Sequence, residues 1–352
     1  MNIHDLSFGS IFAGIGGFDL GFKMEGFSGK WMIEWDKKCQ NILRNHFPDS
    51  LIYGDVCTVE AKNIEKTSVI TFGSPCQDLS HAGKRAGLQG SRSKMFFEAI
   101  RIIGEIDPPV AIWENVTGSL SSNNGNDFLC VLNHLCFKGK RHLAYRVLDS
   151  RYFGVPQRRR RVFIVSTHKD IDPRKILQLN EDHDFVDNCN LAASSNVFSI
   201  QDVRPIDKKQ NGRGWSSEDV AYTVDTKATQ GVAISENARM LTYGFKPGQS
   251  SAARTDGSSM ELCPTLETGG GGNNKPAIAT IDKTSSCMVR RITPLEAERL
   301  QGFPAGWTAA GKDQKGKIVM QSNTSRFNQI GNAVTVNVAR WIARNVKEEI
   351  KK

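Results

Sequence analysis

Between Phe8 and Thr167, short apolar runs alternate with segments of helical period, and that alternation leaves few folds open to the chain. Phe8 to Ala13 reads as a strand, and Phe18, Leu20, Gly21, Phe22 and Met24 lie on one side of a helix. Lys30 to Trp35 is a second strand. The helix after it, Asp36 to Phe47, opens on an aspartate suited to cap it. Further strands are read at Leu51 to Tyr53, Ser68 to Phe72, Pro109 to Trp113, Leu143 to Leu148 and Arg161 to Thr167. Helices are read at Lys94 to Ile106 and Phe128 to Phe137. Strands and helices in turn build a mostly parallel sheet covered on both faces, an α/β, Rossmann-like fold.

The character changes at about Lys169. Residues 170–289 are rich in Asn, Asp, Ser, Thr and Gly and hold no helical period, so they read as a second, smaller, irregular domain with some β structure. Within it, Ala221-Tyr222-Thr223-Val224-Asp225-Thr226, ending at Ala233-Ile234, is similar to Cys263-Pro264-Thr265-Leu266-Glu267-Thr268, ending at Ala277-Ile278. The pair reads either as two similar hairpins or as a duplicated recognition element. Helical pattern returns after residue 290. Thr293-Pro294 is an N-cap with Pro at the first helical position, and Val334 to Ile350 is a final amphipathic helix expected to pack on the first domain. The expected division is therefore 1–169, 170–289 and 290–352.

Lys+Arg 46 against Asp+Glu 37 gives a net charge of +9, which favours a polyanionic partner. None of the eight cysteines forms C-x-x-C, which argues against a zinc ribbon or a thioredoxin motif and for a reducing setting. Cys130, His134 and Cys136 lie close together but read as a half-buried amphipathic helix, and no metal is expected. There is no secretory leader pattern and no apolar run of membrane length, so the expectation is a soluble, cytoplasmic protein that meets no membrane.

Three constellations carry chemistry. The first is the turn Phe12-Ala13-Gly14-Ile15-Gly16-Gly17-Phe18, between the first strand and the first helix. Its glycines let a ligand approach backbone at a helix N-terminus, but Asp19 stands where the dinucleotide fingerprint needs its third glycine. Glu34 ends the second strand, placed for ribose hydroxyls, and Asp55 follows the third, placed for an adenine amino group. Together they describe a nucleoside cofactor without a pyrophosphate. The second is Cys76, in Gly73-Ser74-Pro75-Cys76-Gln77, with Glu114: a thiol and an acid, each at a strand end. Gly73 is read as giving the backbone room to turn. The third is Arg158-Arg159-Arg160-Arg161 leading into a strand, where alternation puts Arg159 and Arg161 on one face and Arg158 and Arg160 on the other.

In this order the blocks resemble those of the cytosine-C5 DNA methyltransferases, which use S-adenosylmethionine. The matching blocks also include Gly54-Asp55-Val56, Glu114-Asn115-Val116, Arg291-Ile292-Thr293-Pro294, Leu300-Gln301-Gly302-Phe303-Pro304 and Gln329-Ile330-Gly331-Asn332-Ala333-Val334. The resemblance implies the S-adenosylmethionine-dependent methyltransferase fold, with residues 170–289 as target recognition domain. It implies Cys76 as nucleophile, Glu114 and Arg159 holding a flipped cytosine, and Arg161 supporting the site. Phe12, Gly14, Gly16, Glu34, Trp35, Asp55, Asn332 and Val334 would line the cofactor pocket. Gln77, Lys84, Arg92, Gln157 and Thr265 would meet DNA, with Thr223 a rival to Thr265. The loop 78–94 would close over the flipped base. The implied protein is a monomeric, sequence-specific enzyme on double-stranded DNA, in a restriction-modification system with a cognate endonuclease as possible partner. An RNA cytosine methyltransferase is disfavoured by the long variable stretch. A DNA-binding protein that has lost catalysis is disfavoured by the intact Cys76, Glu114 and glycine turn. An amino-methyltransferase is disfavoured because Ser74-Pro75-Cys76 stands where that chemistry shows an Asn/Asp-Pro-Pro-aromatic block.

Overall fold

The computed structural model describes residues 6–74, 93–179 and 292–352, and between the last two the backbone of six short strands. Seven strands form the main sheet: β1 (Ser7–Ile11), β2 (Ser28–Ile33), β3 (Leu51–Tyr53), β4 (Val69–Phe72), β5 (Val110–Val116), β6 (His142–Asp149) and β7 (Arg160–Thr167). Their spatial order is β3-β2-β1-β4-β5-β7-β6. The pairs from β3 to β5 are parallel, and β7 runs antiparallel to both β5 and β6. The mostly parallel α/β sheet read from the alternation is the one observed.

Two cores form because strand side chains alternate between faces. On one face Phe8, Val69, Ile112 and Phe163 pack against α1 (Gly17–Met24), α2 (Lys37–His46) and the C-terminal helix. On the other Ile70, Trp113 and Ile164 pack against α3 (Ser93–Ile106) and α4 (Asn126–Leu135). Asp36 caps α2 as expected, its carboxylate accepting from the amides of Lys38 and Cys39. The short α5 (Pro173–Ile176) follows β7, and Ile171, Ile176 and Leu177 are buried in the first core. Packing thus carries the first unit past residue 169. The compositional change there does not show this, because three apolar residues suffice to dock the segment.

In the C-terminal part α6 (Pro294–Leu300) opens with the expected Thr293 cap, closed reciprocally by Glu296. Next come α7 (Asn323–Asn332) and α8 (Val336–Ile350), the latter lying along α1 and burying Val338, Trp341, Ile342 and Val346. Between 197 and 291, β8 (Val197–Ile200) pairs antiparallel with β9 (Gly231–Ile234). There β10 (Thr242–Phe245), β11 (Ser259–Met260), β12 (Ala277–Ile281) and β13 (Cys287–Arg291) form an antiparallel sheet of order β11-β10-β12-β13. The two similar segments both run into strands, β9 and β12. Their Thr-apolar-acid-Thr portions lie outside the described residues. A hairpin, β14 (Ala310–Lys312) with β15 (Ile318–Met320), lies against α2. Among the described residues no helix is long and apolar enough to cross a membrane.

Candidate active site

The catalytic edge is built on the end of β5. Trp113 and Asn115 point to one face of the sheet and Glu114, between them, to the other. Trp113 Nε1 donates to Ser74 Oγ at 3.0 Å, and Asn115 Nδ2 donates to the Ser74 carbonyl at 3.3 Å. These two side chains pin the segment leaving β4 against β5. Gly73 has no left-handed φ. A Cβ on it would stand 3.2 Å from Glu114 Oε2, so the close neighbour of Gly73 is the carboxylate. Cys76, two residues past the pinned Ser74, lies outside the described residues, as do Gln77, Lys84, Arg92 and Thr265.

Glu114 is buried, and Arg161 Nε lies 3.2 Å from its Oε1. Burial pushes the Glu114 carboxyl up from its ordinary value; Arg161 first, then Arg159, pull it back. The expected alternation of the arginines holds: Arg158 and Arg160 are exposed, Arg159 is buried and Arg161 largely so. Arg159 reaches across to the C-terminal part, its Nη2 donating to the carbonyls of Gly331 at 3.0 Å and Ala333 at 2.9 Å. Its backbone amide donates to Asp149 Oδ1. Arg161 is thus the guanidinium on Glu114, and Arg159 ties the catalytic edge to the Gln329–Val334 block. Gln157, expected to meet DNA, is fully buried, and among the described residues neither of its amide atoms has a partner.

The cofactor edge lies at the ends of β1, β2 and β3. Phe12, Gly14 and Gly16 all have left-handed backbone. For a bulky residue such as Phe12 that conformation is costly, and it marks a turn held for a purpose. Glu34, twenty residues from Gly14, accepts from the Gly14 amide through Oε2 at 2.7 Å and from the Asp36 amide through Oε1 at 2.8 Å. Trp35 beside it is 74% exposed, a large ring left open to solvent. Asp55 caps a short helical turn, one oxygen accepting from Cys57 N at 2.9 Å. A Cβ on Gly14 would meet nothing within 4 Å, so space opens beside the turn. Across from it, a Cβ on Gly17 would lie 2.4 Å from the Val334 carbonyl, which places Val334 directly against the start of α1. Asn332 is exposed at the end of α7. An open glycine turn, a fixed acid, an exposed indole and a second acid on successive strand ends fit a nucleoside with a charged amino-acid tail. This set of residues fits S-adenosylmethionine.

Several supporting residues carry no local signal. Trp307 Nε1 donates to the Ile15 carbonyl inside the glycine turn at 2.8 Å, and its ring stacks on His46 at 3.5 Å. Fully buried Glu298 accepts from the amides of Gly306 and Thr308 and pairs with Arg326 at 2.9 Å, which shapes the loop carrying Trp307. Only their neighbourhood to the Leu300–Pro304 block hinted at them. His134 turns its Nδ1 to its own helix, 2.8 Å from the Cys130 carbonyl, and no cluster of three metal-type ligands occurs among the described residues. A cavity of about 320 Å³ beside the catalytic edge is lined by Arg151, Tyr152, Arg158, Arg160 and Asp149, among others.

The comparisons with known proteins agree with this geometry. A family model described as C-5 cytosine-specific DNA methylase matches residues 6–348. The chain is 29% identical to the Type II methyltransferase M.Bsp6I of Bacillus sp. (strain RFL6), over 97% of this chain and 98% of that one. It is 27% identical to the Type II methyltransferase M.HhaI of Haemophilus parahaemolyticus, over 97% and 94% of the two chains. Among solved structures it is similar in fold to the S. pombe Dnmt2 methyltransferase, with a TM-score of 0.58 and 16% identity over 97% and 98% of the two chains.

Proposed function

The chain belongs to the C-5 cytosine-specific DNA methylase family, and from that premise we propose how its own residues divide the work of methylating cytosine. The reaction transfers a methyl group from S-adenosylmethionine to C5 of cytosine in DNA. The cofactor, when bound, supplies that methyl on an electrophilic sulfonium. Glu34 would hold the ribose hydroxyls, Phe12 and Trp35 would pack on the adenine, and Asp55 would accept from its amino group. Gly14 would give the tail access to the start of α1, with Asn332 and Val334 opposite, while Gly16 lets the turn pack closely on Phe47 and Leu43.

Cytosine must first leave the duplex, at a cost of a few kcal/mol. The Cys76 thiolate then bonds to C6, and the electrons of the C5–C6 double bond move toward N3. Glu114 in its acid form donates a proton to N3, which makes C5 an enamine-type nucleophile able to take the methyl. Loss of the C5 proton to solvent, departure of the thiolate and return of the N3 proton to the Glu114 carboxylate restore both the ring and the enzyme. Arg161 orients Glu114, and Arg159 couples the catalytic edge to the cofactor edge. Phosphate contacts and groove readout by the region 180–291 offset the cost of flipping.

One observation supports the assignment above the others: a buried, arginine-paired Glu114 pressed against Gly73, three residues before Cys76. We place the division between the catalytic unit and the recognition region after Leu179, with return at α6. A protein of this kind acts on DNA as a monomer, with a cognate endonuclease as partner in a restriction-modification system. Bisulfite sequencing of DNA from cells expressing the chain tests the reading: cytosines methylated in a defined motif are expected. Unmodified cytosine throughout, with protein present and folded, would refute it. Two motifs instead of one would mark the paired segments ending on β9 and β12 as a duplicated recognition element.

A further inference from the structure

On the α1 face of the sheet three buried polar groups lie together beneath the glycine turn. Ser10 and Thr71 are register partners on β1 and β4, and both are fully or almost fully buried. Asp19, in the first turn of α1, is also fully buried, and its Oδ1 accepts from Ser10 Oγ at 2.5 Å. Among the described residues no other residue partners its Oδ2, and none partners Thr71 Oγ1; beside Ser10, only Asp19's own backbone amide bears on the carboxylate as a donor. An acid enclosed with an unsatisfied oxygen is costly and calls for a reason. Burial pushes the Asp19 carboxyl up to about 7.

The groups around Asp19 are those of the cofactor edge. From Ser10 in β1 the chain runs on through Phe12 into Gly14; Gly16 is the N-cap of α1; Glu34, the charged group that bears on Asp19, holds the Gly14 amide. The adjacent Phe18 packs edge-on against Phe163, whose register partner on β5 is Glu114. Asp19 therefore stands between the cofactor turn and the catalytic strand. Among the described residues the other elements around it bring no compensating cation. β1 and β4 bring hydroxyls, and α8 directs Arg340, Arg344 and Lys347 to Glu25, beyond the far end of α1.

We infer that Asp19 is a buried countercharge to the cationic end of the methyl donor, and that it makes the site prefer the donor to its demethylated product. The inference rests on the cofactor reading above. S-adenosylmethionine carries a sulfonium and an ammonium against one carboxylate; S-adenosylhomocysteine has lost the sulfonium charge. Inside a low-dielectric pocket an ionised Asp19 attracts the first more strongly than the second. A bound cation favours the charged form of the acid, so binding the donor lowers the Asp19 pKa and releases a proton. Once product forms, that attraction weakens and release is eased. Asp19 acts through charge and position, and exchanges no proton with the reacting base.

Isothermal titration of the full chain with S-adenosylmethionine and S-adenosylhomocysteine tests this, run between about pH 5.5 and 7.5 in two buffers of different ionisation enthalpy. The wild type is expected to gain preference for the donor as pH rises, by roughly tenfold, the equivalent of one pKa unit. It should also release more of a proton with the donor than with the product. Asp19→Asn should flatten both. An unchanged affinity ratio and unchanged proton release in Asp19→Asn overturn the inference. Should that variant fail to fold by circular dichroism, Ser10→Ala serves instead. It keeps the acid but removes the hydrogen bond that holds its pKa down, so the window must move to higher pH; a fixed window overturns the inference. Wild-type protein that binds neither nucleoside overturns the cofactor reading itself, a result distinct from an insensitive Asp19.

Discussion

At the β2 end of the sheet edge the carboxylate of Glu34 is gripped by two backbone amides; at the β5 end that of Glu114 faces a guanidinium. Burial raises both acids, but what opposes burial differs. Amides of Gly14 and Asp36 are fixed by the turn and leave Glu34 a rigid acceptor set, suited to recognise hydroxyls. The guanidinium of Arg161 is a side-chain partner held on the Arg160 carbonyl, and burial, which raises the Glu114 pKa against it, leaves that acid able to carry a proton. The cofactor edge is built largely from backbone, the catalytic edge from side chains. Substitutions at the first should alter binding, and substitutions at the second should alter turnover.

The sharpest way to break that contrast is at Cys76. Cys76→Ala is expected to reduce methyl transfer to background while DNA binding in a gel-shift assay stays measurable; turnover like the wild type would remove the covalent mechanism. Next in size is Glu114→Gln, expected to lower kcat by about 10²-fold or more, the range for a lost acid-base group, with the affinity for S-adenosylmethionine little changed. The pH profile adds a sign. The acid form of Glu114 donates to N3, so wild-type kcat should fall as pH rises through the raised pKa of this group. In Glu114→Gln that limb should vanish. Arg161→Ala removes the largest influence holding the pKa down, so its limb should move to higher pH.

At the other edge Glu34→Ala should weaken S-adenosylmethionine binding by about 10- to 100-fold, as hydrogen bonds to a charged group are worth. The kcat at saturating cofactor should stay close to the wild-type value. If kcat fell as far as in Glu114→Gln, the two edges would not be separable and the division between binding and chemistry would fail.

How much of this was legible in the chain depends on the range of the interaction. The strand ends at Glu34 and Asp55, the Asp36 cap and the alternation of the arginines follow from local period, and they stand where the spacing put them. The link from Gly14 to Glu34 spans twenty residues but joins two neighbouring strands, so it was legible as a motif. The stack of His46 on Trp307 and the Trp307 bond to Ile15 join residues far apart in the chain. No periodicity announces such pairs. α7 was hidden for another reason: Asn323 to Asn332 is mostly polar and buries Gln329, Ile330 and Gly331, so it shows little apolar stripe. The strands between 197 and 291 are two to five residues long and carry alanine, glycine and serine, too short and too small to alternate visibly. Gly73 was read as giving the backbone room to turn, but its φ is not left-handed, and the carboxylate packed close to it lies 41 residues away, on a neighbouring strand.

The smallest expected effect tests the two faces of the arginine run against each other. Arg159 and Arg161 are turned inward to a carbonyl pair and a carboxylate, while Arg160 is exposed and lines the cavity it shares with Arg151, Arg158 and Tyr152. An exposed guanidinium at the catalytic edge suits a DNA phosphate. Arg160→Ala should then weaken DNA binding equally on cognate and unrelated sequences. The slope of log K against log salt should flatten by about 0.9, the value for one phosphate contact. Its kcat at saturating DNA should be unchanged, because the residue faces away from Glu114. A flattened slope with intact turnover would assign the outward arginines to the DNA backbone. An unchanged slope would leave the cavity as ordinary solvated surface, and the functional charge of the run would then reside wholly in its inward pair.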